Sequence, residues 1–153
     1  GFEIEVSVQA SDADPFPDGI GNLKSGALFI RSNQNAIPFT GPSAFLYTDG
    51  SLRFRMSWNE DHCMLDAGTV SDWQVQHTLK FARTMGTPVQ GAPCANPSTL
   101  KIFIDGVEAK VCNACNALNT QYITSSPMWI GANQADQTDK NLRFHLTELR
   151  LTY

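Results

Sequence analysis

Four cysteines, Cys63, Cys94, Cys112 and Cys115, and an acidic stretch carrying Asp12, Asp14 and Asp18 are the residues of this chain whose types and spacing point to chemistry. Several carboxylates in a loop with a glycine bend supply the hard oxygens that calcium takes. Asp12-Ala13-Asp14 followed by Asp18-Gly19 offers such a set, so calcium is the candidate cofactor and these three aspartates are its candidate ligands. The full spacing of a known calcium loop is absent, and the same residues also read as a solvated acidic loop stiffened by Pro15 and Pro17. Asp136 and Asp139, in the polar stretch after Gly131, form a second acidic candidate.

An even number of cysteines in a chain rich in Asn, Gln, Ser, Thr and Gly suits an oxidising, extracellular compartment where disulfides persist. If residues 63–66 form a short strand, turns that alternate ends bring all four cysteines to one end of the domain. Two disulfides then become feasible, with Cys94 joining Cys112 or Cys115 and Cys63 taking the other. The same clustering permits a four-thiolate zinc site, although Cys112-x-x-Cys115 lacks a second close pair. A redox role for that pair would need a βαβ setting, and the surrounding pattern is β. No N-x-S/T acceptor occurs, since Asn96 precedes Pro97.

Aromatic rings near strand ends provide apolar platforms on which a sugar face stacks, and Trp58 and Tyr47 sit at such positions. Asn133, Gln134 and Asp136 offer hydrogen-bonding partners for hydroxyl groups. Packing at the core or its rim competes as the role of both rings. His77 lies on the inward parity of its segment, where a hydrogen-bonded core histidine is expected; His62 and His145 have no evident partners.

The chain has 153 residues, 42% of them hydrophobic, enough for one domain with a sizeable core, and residues 1–153 read as that single domain. Its net charge of −4 and dispersed basic residues leave no footprint for nucleic acid and no polybasic membrane patch. No stretch approaches the roughly 18 apolar residues of a spanning helix, so no membrane insertion is expected. The start at Gly1 without a signal-peptide pattern suggests a mature or excised segment.

Positioning these residues falls to strands. Phe2, Ile4, Val6, Val8 and Ala10 alternate with polar residues over the first strand. Ala27-Leu28-Phe29-Ile30 is apolar without alternation, as expected of an interior strand covered on both faces. Asp49-Gly50 and Asp105-Gly106 mark two tight hairpins. The first is expected to set Tyr47 opposite Leu52 and Phe45 opposite Phe54, with Met56 and Trp58 continuing that face. The second is expected to pair Ile104 with Val107, Ile102 with Ala109, Leu100 with Val111 and, on the outer face, Lys101 with Lys110. Trp73, Val75, His77, Leu79 and Phe81 alternate as one long half-buried strand. Near the end, Phe144 and Leu146 share one parity while Leu149 and Leu151 share the other, so a β-bulge is expected near Thr147. Short strands, frequent turns and no helical period point to an all-β sandwich or barrel.

The stretch 73–81, Leu100-Lys-Ile-Phe-Ile-Asp105-Gly106-Val107, Trp129-Ile-Gly131 and Phe144-His-Leu-Thr-Glu148-Leu-Arg-Leu151 together resemble the concanavalin A-like superfamily, in its laminin-G-like and pentraxin-like branch. The resemblance implies a two-sheet antiparallel jelly-roll sandwich with the first and last strands adjacent. It leaves function open, because the fold hosts lectins, adhesion modules and glycosidases. Glycosidases of this fold carry paired acids in an E-x-D-x-x-E spacing that this chain lacks; Glu60 and Asp61 are adjacent and would face opposite ways on a strand. The expected function is therefore a non-catalytic extracellular recognition module for glycan, assisted by calcium. Its alternative is a structural or adhesive unit that meets protein partners or copies of itself, and a glycosidase comes third.

Overall fold

The structure is a computed structural model and describes residues 1–11, 25–31, 42–47, 50–55, 65–70, 72–87, 98–114, 128–131 and 144–152. No helix occurs among them. The strands are β1 (Phe2–Ala10), β2 (Ser25–Arg31), β3 (Ser43–Tyr47), β4 (Ser51–Arg55), β5 (Leu65–Thr69), β6 (His77–Thr84), β7 (Ser98–Ile104), β8 (Val107–Ala114), β9 (Met128–Ile130) and β10 (Phe144–Thr152). They form two five-stranded sheets with orders β10-β1-β6-β7-β8 and β5-β4-β3-β2-β9, every neighbouring pair antiparallel. The first and last strands pair, as the jelly-roll reading expects. β5 packs against β7 and β8, which puts β9 on the same flank as β10.

Alternation along β1 explains its place. Phe2, Ile4, Val6, Val8 and Ala10 are buried, whereas Glu3 and Glu5 stand on the outer face. They meet Leu79 and Phe81 of β6 and Leu100 and Ile102 of β7 on the inner face of one sheet, against Leu28, Phe29, Ala44, Leu46, Leu52 and Phe54 of the other. Phe81 bridges the layers, with ring centroids 5.1 Å from Phe29 and 5.2 Å from Phe54. The Phe81–Phe29 pair is edge-to-face, setting a positive ring edge against a negative face, and the Phe81–Phe54 pair is tilted at 54°.

The strand β2 is flanked by β3 and β9, and both Leu28 and Phe29 are buried. A register shift between Ala27 and Phe29 leaves Leu28 as the extra residue, so a bulge breaks the alternation and both Leu28 and Phe29 join the core. The slip expected near Thr147 is present: Val8 pairs with Leu146 and Ser7 with Glu148, and Thr147 is the extra residue.

Registers in both hairpins differ from the sequence reading. Leu46, not Tyr47, faces Leu52, and Phe45 faces Arg53 rather than Phe54. The turn holds three residues instead of two: the Gly50 amide donates to the Tyr47 carbonyl at 2.9 Å, and Gly50 takes φ +82°. In the second hairpin Asp105 (φ +51°) and Gly106 (φ +81°) make the expected primed turn, and Ile104 pairs with Val107. A bulge at Ala109 then shifts the ladder, so Ile102 faces Lys110, Leu100 faces Cys112 and Lys101 faces Val111. The expected Lys101–Lys110 repulsion does not arise; Lys101 instead pairs with Glu108 at 2.6 Å. Trp73 to Gln76 form a turn, not the start of β6; β5 is described over Leu65–Thr69, and Cys63 lies outside the described residues. Met56 and Trp58 lie outside the described residues.

Candidate functional site

Strand directions sort the connections between two rims. At one rim end β1, β3, β5, β7 and β9, and there begin β2, β4, β6, β8 and β10; the remaining connections leave from the other. Apart from the three-residue β9 the strands have five to nine residues, and at roughly 3.3 Å per residue the rims stand roughly 15–30 Å apart. The first rim therefore receives the connection with Asp12, Asp14 and Asp18, the one with Asn133, Gln134 and Asp136, and the end of β3 with Tyr47. The connection with Trp58 and Cys63 starts and ends at the opposite rim, as do the one with Cys94 and the one with Cys115. Apart from Tyr47 and Cys112, all these candidates lie outside the described residues.

At the first rim the turn 72–76 is braced on every side. The Trp73 carbonyl accepts from the Ala10 amide at 2.7 Å, and the Val70 amide donates to the Gly50 carbonyl at 3.0 Å. Trp73 itself is buried, edge-on to His77 and Phe144 at 5.5 and 5.8 Å. Gln9 Nε2 donates to the Gln74 carbonyl at 2.7 Å, and Gln76 Nε2 to Thr147 Oγ1 at 3.3 Å. The Asp72 carboxylate accepts from the Gln74 amide at 3.0 Å, closing an Asx turn. Gln74, Val75 and Gln76 remain exposed on this support.

His77 fastens the turn to the second hairpin. Its Nδ1 lies 2.7 Å from Asp105 Oδ2, and its Nε2 lies 2.8 Å from the Asp72 carbonyl. The other carboxylate oxygen, Oδ1, accepts from the Thr78 amide at 2.8 Å, while the Asp105 amide donates to the Thr78 carbonyl. Both ring nitrogens thus face acceptors, an arrangement satisfied only by the doubly protonated imidazolium. Burial works against that charge, but the Asp105 hydrogen bond and charge together with the Asp72 carbonyl outweigh it, raising the His77 pKa above 6.5. For Asp105, partial burial pushes upward and the His77 and Thr78 hydrogen bonds prevail, lowering its pKa below 3.8. With both nitrogens engaged, His77 acts as a clamp rather than as a free base, in keeping with a hydrogen-bonded histidine on the inward parity.

Tyr47 is half-buried, and the Arg53 guanidinium lies 4.4 Å from its ring centroid. One ring face is therefore occupied by a cation–π contact that the sequence reading did not foresee. A second such pair, Lys80 over Phe103 at 4.5 Å, sits among charged residues on the outer face of the first sheet. Neither pair is visible without the strand register. At the opposite rim an open hollow of about 390 Å³ is lined by Phe2, Glu3, Arg83, Met85 and Thr152 among others, with Phe2 and Arg83 buried. Cys112 is half-buried against the core and disulfide-bonded. Among the described residues no group of three or more His, Cys, Asp or Glu side chains is placed to hold a metal.

No family model matches the chain, and no curated protein matches it. Among solved structures it is similar to the Caenorhabditis elegans galectin LEC-6, with TM-score 0.54 and 9% identity over 100% of this chain and 83% of that one. It is also similar to the CBM40 of Ruminococcus gnavus IT-sialidase bound to α2,6-sialyllactose, with TM-score 0.56 and 12% identity over 98% of this chain and 74% of that one. The same CBM40 bound to α2,3-sialyllactose gives TM-score 0.55 and 11% identity over 95% and 73% of the two chains. At such identities the likeness is one of fold: the chain has the jelly-roll sandwich of these proteins.

Proposed function

We propose that this chain is a non-catalytic carbohydrate-binding module that meets glycan at the rim carrying the turn 72–76. The observation that carries this reading is the turn itself. Two exposed glutamines and a carboxylate stand on a turn tied to β1 through the Gln74 backbone and to the second hairpin through His77. The Gln76 side-chain amide is held on Thr147 of β10 and the Asp72 carboxylate on the Gln74 amide, so the turn is ordered before a ligand arrives. Solved structures of this fold, a galectin and a CBM40 bound to sialyllactose, support the same ligand class. Hydroxyl groups of a sugar would bond Gln74, Gln76 and Asp72, with Asn133, Gln134 and Asp136 reaching in from the adjacent connection and Tyr47 at the margin. Calcium at Asp12, Asp14 and Asp18 would order the neighbouring connection at that rim. The disulfide at Cys112 supports an extracellular setting.

A glycan array that includes both sialyllactoses, run in calcium and again in chelator, tests this reading. Binding is expected in calcium and should weaken with chelator. Gln74→Ala combined with Gln76→Ala should weaken it about tenfold, corresponding to one or two lost hydrogen bonds. A blank array in calcium, or binding untouched by the double substitution, would count decisively against the site.

A further inference from the structure

The flank where β10 ends its sheet is built differently from the edges at β8 and β9. β10 has nine residues, pairs with β1 on one side and meets no described strand on the other. Edge strands are ordinarily blunted by brevity, bulges or inward-pointing charges. β9 is three residues long, and β8 sets Lys110 on the inward register opposite Ile102; β10, although bulged at Thr147, has neither device. On β10 the inward register instead holds Leu146, Leu149 and Leu151, opposite Val8, Val6 and Ile4 and exposed by 39%, 37% and 43%. A row of leucines beside backbone that no described strand pairs is a template for a further strand.

We propose that this edge pairs with β10 of a second copy of the chain, antiparallel and centred on Leu149, to make one continuous sheet across a two-fold axis. The outer face of the same strand selects that partner and that register. In an antiparallel pair, opposite residues share a face, so a symmetric pairing centres on a single residue. Centring on Glu148 or Arg150 would oppose like charges. Centring on Leu149 sets each Glu148 against the Arg150 of the other copy, twice, while the two Leu149 side chains meet on the inner face. Within one chain Arg150 Nη2 already lies 2.6 Å from Glu148 Oε1 and Nη1 lies 4.0 Å from Glu5 Oε1, so the guanidinium is poised over the carboxylates that line this edge. Leu151 then stands across from the bulge of the other copy, where Leu146 shares its face. The rims described above would point away from each other in such a dimer, giving a bivalent particle whatever each rim binds.

Light scattering coupled to size exclusion, over a wide concentration series of the chain, reads the association directly. The mass is expected to rise from 16.8 kDa toward twice that value. Glu148→Arg replaces two attractions with two repulsions and should raise the dissociation constant at least about tenfold. Adding Arg150→Glu to the same chain swaps both charges and should restore the dimer, a recovery that misfolding would not give. A chain that stays monomeric throughout, whether or not it binds another protein, overturns the proposal. So does a dimer indifferent to Glu148→Arg, or a double variant that fails to recover.

Discussion

His77 shows how one side chain ties three pieces of chain together and makes their union depend on pH. Its pKa is raised from 6.5, so the stabilisation it provides is complete below pH 6.5 and is lost as pH climbs through the folded value. Asp105 is lowered from 3.8, so its contribution is present above pH 3.8 and fades as pH falls through its folded value. The clamp is therefore strongest between those limits. Asp105 is half exposed, and solvent screening reduces the pair to about 1 kcal/mol. Asp105→Asn keeps the left-handed backbone that Asn tolerates and keeps an oxygen for the Thr78 amide, but removes the charge. Thermal unfolding near pH 5.5 and near pH 8.5 should show the parent chain losing a few degrees at the higher pH and the variant losing less. Equal slopes in the two chains would show that this pair does not couple stability to pH. Little of it was legible beforehand: His77 was readable as an inward, bonded residue, but its partner stands 28 positions away and came into view only with the register.

Among the elements, what the sequence disclosed depended on whether an irregularity disturbed the apolar rhythm. The bulge at Thr147 was legible because leucines on its two sides change parity, and a residue must be absorbed to keep them on one face. The bulge at Ala109 left no such trace, since Val107, Val111 and the residues between them are exposed and no core side chain constrains their parity. The alternation therefore implies a register for the second hairpin that fails beyond Phe103. The first misled for another reason: Gly50 fits either a two-residue or a three-residue turn, and Phe45 is buried along with Leu46, so neither parity was distinctive. The polar turn 72–76 was hidden because Trp73 and Val75 prolong the alternation of β6, although Val75 is 53% exposed. If Thr147 is only an accommodated extra residue, deleting it leaves Leu146, Leu149 and Leu151 on the inner face and straightens the ladder. The deletion should then cost no more than about 1 kcal/mol in a urea titration, the worth of the lost Gln76 hydrogen bond. A loss of several kcal/mol would mean that the bulge itself shapes the sheet.

For the molecule as a whole, two sheets become one core through a small number of rings. Phe29 and Phe54 rise from one layer and Phe81 descends from the other, each fully buried, so the stacking of the layers concentrates there. Phe103 belongs to β7, the strand next to Phe81, but points the opposite way and meets only Lys80 in the ring contacts described. Comparing these two phenylalanines isolates layer packing from strand propensity, because both are aromatic residues on paired strands of the same sheet. Phe81→Ala leaves a cavity between the layers and should cost about 3–5 kcal/mol. Against the ~5–15 kcal/mol that holds a typical domain, that is a large share of the whole. Phe103→Ala gives up a partly exposed ring and a surface cation–π contact and should cost about 1 kcal/mol. Urea midpoints of the two variants, read at unchanged slope, measure the difference directly. Equal midpoints would mean that the layers are not held by this aromatic bridge, and the facing-sheet account of the core would have to be abandoned.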